Sequence, residues 1–239
     1  MDIVKFWLGV VLPYSAIAVF LIGMTWRVYA WRKLASPAMT LFPAPPTEAA
    51  NKLNTLQEVA LFKSLFKGDR VLWVLAWSFH ALLALIFVGH LRVFANMDRM
   101  LQSLGMTEAD IQAMSSGTGG AAGVGIGLAA LLLVLRRAAA PSVREISGVA
   151  DYAILLLIGA ILTTGNLMRF STPHFDLGLA RSYFAGLARF AETGGASVLS
   201  NGVFLTHMSL AFLLLMLMPF SKLLHFGGIF FTHQLIRRH

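Results

Sequence analysis

Apolar residues in this chain gather into five runs of about twenty or more, separated by more polar stretches. A run of that length covers the ~30 Å of hydrocarbon in a bilayer when wound as an α-helix. The pattern therefore predicts five transmembrane helices, over residues 3–30, 71–95, 119–135, 152–170 and 198–220. Pro13 falls inside the first and is an expected kink. Between the first two spans, residues 31–70 form a polar connection, with Thr47 as an N-cap for a surface helix whose apolar side includes Leu53, Leu56, Val59, Ala60 and Leu61. A short amphipathic segment, Met97 to Met114, follows the second span and contains a cap at Thr107 with Asp110 three residues on. In the third, Gly119, Gly123 and Gly127 recur every four residues and let another backbone approach closely, most simply one from the same chain. Residues 171–195 are less apolar and fit an interfacial position, and a tail follows at 221–239.

Composition agrees. Of the 239 residues, 57% are apolar and 13% charged, against about a quarter charged in soluble domains. The expected class is an all-α membrane protein, a single membrane domain built as a bundle of five helices. The first run has only Lys5 before it and ends in Trp26, Arg27 and Trp31, so it reads as a retained helix and not a cleaved leader. The net charge of +8 sits at helix ends, where lipid headgroups and topology account for it, and nucleic acid is not expected. Thirteen of the nineteen Lys and Arg fall on the side that carries the first loop and the tail, and six on the other. By the positive-inside rule the N-terminus is outside and the C-terminus cytoplasmic.

The absence of cysteine excludes disulfides, thiolate zinc sites, iron–sulfur clusters held by this chain and haem attached through Cys-x-x-Cys-His. Histidine carries the remaining chemistry. Of seven, His174, His233 and His239 lie in loop or tail and fit solvated roles. His80 and His90 lie ten residues apart in the second span, about 15 Å along a helix. His207 and His225 lie eighteen apart on the last segment, which is five turns, one face and about 27 Å if the helix is unbroken. Antiparallel spans bring His90 to the level of His207 and His80 to the level of His225. The unequal spacings require a tilt or bend, which Pro219 can supply. Two imidazoles at a level are too few for zinc or copper, whereas haem brings four nitrogens and needs only two axial ligands. A proton pathway, or structural hydrogen bonding between helices, remains the other account of the four. Arg92, Arg99 and Arg169 outside, and Arg70, Arg136 and Arg137 inside, are available to propionates, and lipid headgroups account equally well for each.

The stretches FHALLALIFVGH (79–90) and THMSLAFLLLMLMPFSKLLH (206–225) resemble the gamma subunit of respiratory nitrate reductase and its relatives. That resemblance implies a di-haem b cytochrome subunit. His90 and His207 would bind the outer haem iron, and His80 and His225 the inner one. It further implies electron transfer between menaquinol or ubiquinol and a cytoplasmic iron–sulfur subunit, within a complex of other membrane and periplasmic subunits in a prokaryotic inner membrane. The long 31–70 stretch, and the loop after the second span with Arg99, Glu108 and Asp110, look more like the relative in the complex linked to dissimilatory sulfite reductase. The cytoplasmic partner there resembles the catalytic subunit of heterodisulfide reductase. A nitrate reductase gamma subunit is the alternative within the family; a histidine-relay proton channel or transporter, or a structural anchor, is the alternative outside it. Arg92 and His174 are candidate neighbours of the quinone by depth alone.

Overall fold

Apolar side chains spaced for lipid drive the chain into helix, and in a computed structural model every regular element among the described residues is helical. The structure describes residues 2–33, 48–171, 175–191, 194–225 and 227. Five helices are long and apolar enough to cross a membrane: α1 (Ile3–Arg32), α4 (Arg70–Phe94), α6 (Glu108–Ala139), α8 (Val149–Phe170) and a last one over Gly202–Phe220, of which α10 (Gly202–Leu217) is regular α-helix. Shorter helices connect them: α2 (Glu48–Leu61), α3 (Lys63–Gly68), α5 (Met97–Ser103), α7 (Pro141–Glu145) and α9 (Leu177–Ala188). The expected cap at Thr47, and the candidates His174, His233 and His239, lie outside the described residues.

Short polar side chains start these helices by taking up amide protons that have no partner in the first turn. Asp2 accepts from Lys5 N, Asp69 from Leu72 N, Asp176 from Gly178 N and Leu179 N, and Asn201 from Phe204 N. Thr107 and Asp110 form a reciprocal capping box. That box opens α6 itself, not a separate amphipathic helix, so the third span begins eleven residues before the expected Gly119. Gly105, at φ +93°, supplies the turn between α5 and the box. The glycines at 117–127 do not interrupt α6, because a helix in lipid must keep its backbone bonds internal.

The chain divides into two compact units, residues 1–13 with 75–211, and 14–74 with 212–239. In the first unit, α6 lies along α8. The glycine repeat faces α8 within the chain, as expected. A Cβ on Gly123 would stand 2.2 Å from Asn166 Oδ1, and one on Gly119 2.6 Å from Arg169 Nη2. Asn166 Nδ2 in turn donates to Gly123 O at 3.0 Å. The region after α8, expected to be interfacial, contains α9, whose Ala180, Tyr183 and Leu187 are buried. The Tyr183 hydroxyl donates to Gly9 O. Pro13 has no N–H to offer that oxygen four residues earlier, and a π-turn over Trp7–Val11 passes the chain into the proline.

In the second unit the last span changes character at Pro219. α10 ends at Leu217, Met218–Phe220 form a 3-10 turn, Ser221 is extended (φ −116°, ψ 169°), and Lys222–Leu224 form another 3-10 turn. The expected bend is there, and it is a break. The unbroken helix that the eighteen-residue spacing assumes is therefore interrupted before His225. Arg27 Nε donates to Pro219 O at 2.8 Å, satisfying a carbonyl left without a helical partner.

Candidate functional site

His90 and His207 are brought together in the first unit. Their ring centroids are 6.2 Å apart and their planes differ by 16°. Metal–imidazole bonds of ~2.0 Å, plus ~1.1 Å from each nitrogen to its ring centre, put two imidazoles on one iron about 6 Å apart, centre to centre. The observed pair matches that span and is near-parallel. His80 also belongs to the first unit, and His225 to the second.

A second regularity concerns the nitrogens. His80 Nδ1 lies 2.7 Å from Ala76 O, His90 Nδ1 2.8 Å from Ile86 O, and His225 Nδ1 3.0 Å from Lys222 O. For His207 the neighbours of Nδ1 are Ile161 O at 3.1 Å and Thr164 Oγ1 at 3.0 Å. A carbonyl oxygen only accepts, so each contact assigns the proton to Nδ1 and leaves the lone pair on Nε2. This is the arrangement by which ligating imidazoles are held in one tautomer. Four of four candidate ligands share it.

Among the described residues, no three His, Cys, Asp or Glu side chains come together as a metal site. The donor set is thus too small for an ion that takes all its ligands from protein, but two imidazoles complete a haem iron. The residues present fit haem.

Beyond the histidines, Arg92 is engaged in an ion cluster. Its Nε donates to Asp98 Oδ1 at 2.8 Å, while Arg181 donates to Asp98 Oδ2 at 2.9 Å and to Arg92 O at 2.9 Å. Partial burial pushes the Asp98 carboxyl up, but the hydrogen bonds from Arg181 and Arg92 and their charges outweigh it and hold it below the ordinary 3.8. Arg169 points at α6, with Nη2 3.5 Å from Ser115 Oγ. Sequence reasoning singled out Arg92 and Arg169 but missed Asp98, Arg181 and Thr164. A threonine inside an apolar run ordinarily bonds back to its own helix, and Thr164 carries no signal that would set it apart.

A model of the nitrate reductase gamma subunit matches residues 63–238, about three-quarters of the chain. The chain belongs to the nitrate reductase gamma subunit family. Relatives within reach include the Hdr-like menaquinol oxidoreductase cytochrome b-like subunit of Archaeoglobus fulgidus, 31% identical over 94% of this chain and 77% of that protein. Its counterpart from Archaeoglobus profundus is 27% identical over 92% of this chain and 76% of that protein. The respiratory nitrate reductase 1 gamma chain of Escherichia coli is 31% identical over 91% of this chain and 88% of its own length. As a member of the gamma subunit family with five apolar helices, the chain is a multi-pass membrane protein.

Proposed function

We propose that this chain is the di-haem cytochrome b subunit of a quinol-linked membrane oxidoreductase. It moves electrons between quinol at the outer face and an iron–sulfur subunit at the cytoplasmic face. The observation that carries the reading is the near-parallel His90–His207 pair at 6.2 Å, with Nδ1 of each ring tied to a backbone carbonyl. His90 and His207 would hold the outer haem b, and His80 and His225 the inner one. Haem b supplies a reversible one-electron iron couple when bound. The chain's own residues would hold it: carbonyls of Ala76, Ile86, Ile161 and Lys222 orient the four imidazoles. Two imidazoles from this chain would hold each haem and leave no position for a substrate, so the subunit would carry electrons and its partners would do the remaining chemistry.

Charge asymmetry supports an outside N-terminus in a prokaryotic cytoplasmic membrane, with the iron–sulfur partner on the side of the C-terminus. The names of the Archaeoglobus relatives favour menaquinol as the quinone and a heterodisulfide reductase-like partner. A link to sulfite reduction belongs to the same proposal and rests on the resemblance alone. Arg92 and His174 remain candidate quinone neighbours, although the engagement of Arg92 with Asp98 makes it more a strut than a free donor.

A dithionite-reduced minus air-oxidised spectrum of the purified, haem-loaded protein, with a pyridine haemochrome count, tests the reading. Two b-type haems per chain are expected. A preparation with no b-type band sinks it and returns the histidine relay to the front.

A further inference from the structure

The ring of His207 is seated on α8, and the seat is built from three positions on one face, Ile161 and, one turn further on, Thr164 and Gly165. Ile161 O and Thr164 Oγ1 both meet Nδ1, at 3.1 and 3.0 Å. At Gly165 a Cβ would stand 3.2 Å from His207 Cε1, so the absence of a side chain lets the ring lie against the helix. The carbonyl neighbours given above for His80, His90 and His225 come from three or four residues earlier on their own segments, whereas this seat belongs to a different span.

The proton inventory of Thr164 decides what its hydroxyl does. Its Oγ1 lies 2.8 Å from Ala160 O and 3.0 Å from Ile161 O, both of which can only accept. A hydroxyl has one proton and two lone pairs, so it donates to a backbone carbonyl of α8 and accepts from His207 Nδ1–H. Donation from Nδ1–H to two oxygens draws the imidazole toward imidazolate and makes Nε2 the stronger donor.

We infer that Thr164 is a positioning residue for the outer haem: its hydroxyl fixes the plane of the His207 ring and lowers the reduction potential of the iron that His207 ligates. The inference rests on the reading of His207 as an axial ligand. A stronger imidazole donor favours ferric over ferrous iron, so losing the acceptor raises the potential of that haem and leaves the other unmoved. Gly165 acts with Thr164 by keeping the ring close enough for the bond to form.

The test compares wild type, Thr164→Val and Thr164→Ser in the intact membrane subunit, by redox titration of the b bands and by electron paramagnetic resonance of the ferric haems. Valine keeps the shape and removes the acceptor; serine restores it. In Thr164→Val one b component shifts about threefold toward the reduced form, ~28 mV at about 59 mV per tenfold, and its largest g value moves as the ring turns. The second component stays in place, and Thr164→Ser matches wild type. If Thr164→Val loses one haem altogether, recovery in Thr164→Ser supports the inference and failure to recover overturns it. Both components at wild-type potential and g value in Thr164→Val also overturn it, while a wild-type protein with no b haem instead defeats the underlying reading of the histidines.

Discussion

If His90 and His207 hold one haem between them, as proposed, removing either ring removes the same ligand set. His90→Ala and His207→Ala are each expected to lose one b-type haem of two, the same one, and the double variant to lose no more than either single change. His80→Ala is expected to lose the other. Haem counts and potentials of the remaining band check this, and loss of different haems from His90→Ala and His207→Ala refutes the pairing. Here the sequence was informative because histidine is expensive in lipid and its register on a helix is simple arithmetic. What it left unreadable was the support. The carbonyl of Ile161, the hydroxyl of Thr164 and the bare backbone of Gly165 matter only through their approach to a ring 42 to 46 positions away, and nothing in their own neighbourhood announces that approach.

Among the elements, α9 is held by polar and steric contacts that hydropathy does not display. A Cβ on Gly195 would stand 2.2 Å from Leu179 O and 2.7 Å from Tyr183 N, both backbone atoms that cannot rotate away. Gly195→Ala must displace α9 and is expected to cost about 1–3 kcal/mol, the usual range for overpacking, seen as a lower thermal midpoint in detergent. The Arg92–Asp98–Arg181 cluster joins the end of α4 to α5 and α9. Because the Asp98 pKa is depressed in the fold, its contribution is complete above the unfolded value near 3.8 and is lost as pH falls through the lower native value. Asp98→Asn should therefore lower the midpoint at neutral pH, by an amount in the ~1 kcal/mol range of partly exposed ion pairs. The gap to wild type should close in acid below the carboxylate range, and a gap that persists there would assign the effect to something other than charge. Helix starts show the same mixture of legible and hidden. The Thr107–Asp110 box was visible in the sequence, yet it opens the third span itself, because glycines that would weaken a helix in water are tolerated when lipid enforces internal hydrogen bonding.

For the molecule as a whole, the number of crossings and, apart from the start of the third, their approximate limits were legible, since about twenty apolar residues in a row leave few other solutions. The end of the last crossing was only half legible: Pro219 marked a change of direction, but two 3-10 turns around an extended Ser221 replace the continuous helix that the eighteen-residue spacing assumed. Orientation rests on the thirteen-to-six division of Lys and Arg. A C-terminal green fluorescent protein fusion is expected to fluoresce and a C-terminal alkaline phosphatase fusion to be inactive; the reverse outcome inverts the topology and moves the face proposed for an iron–sulfur partner to the opposite side.

Proline inside a helix is ordinarily a defect, and replacing it with alanine is ordinarily a gain of about 3 kcal/mol. Position 13 should behave differently. The ring nitrogen that cannot donate leaves the oxygen of Gly9 for the buried phenol of Tyr183, so an amide at 13 would compete for the acceptor on which α9 is anchored. Repairing the first crossing would thus loosen a distant part of the same unit, and the flaw is what the later segment is built to fit.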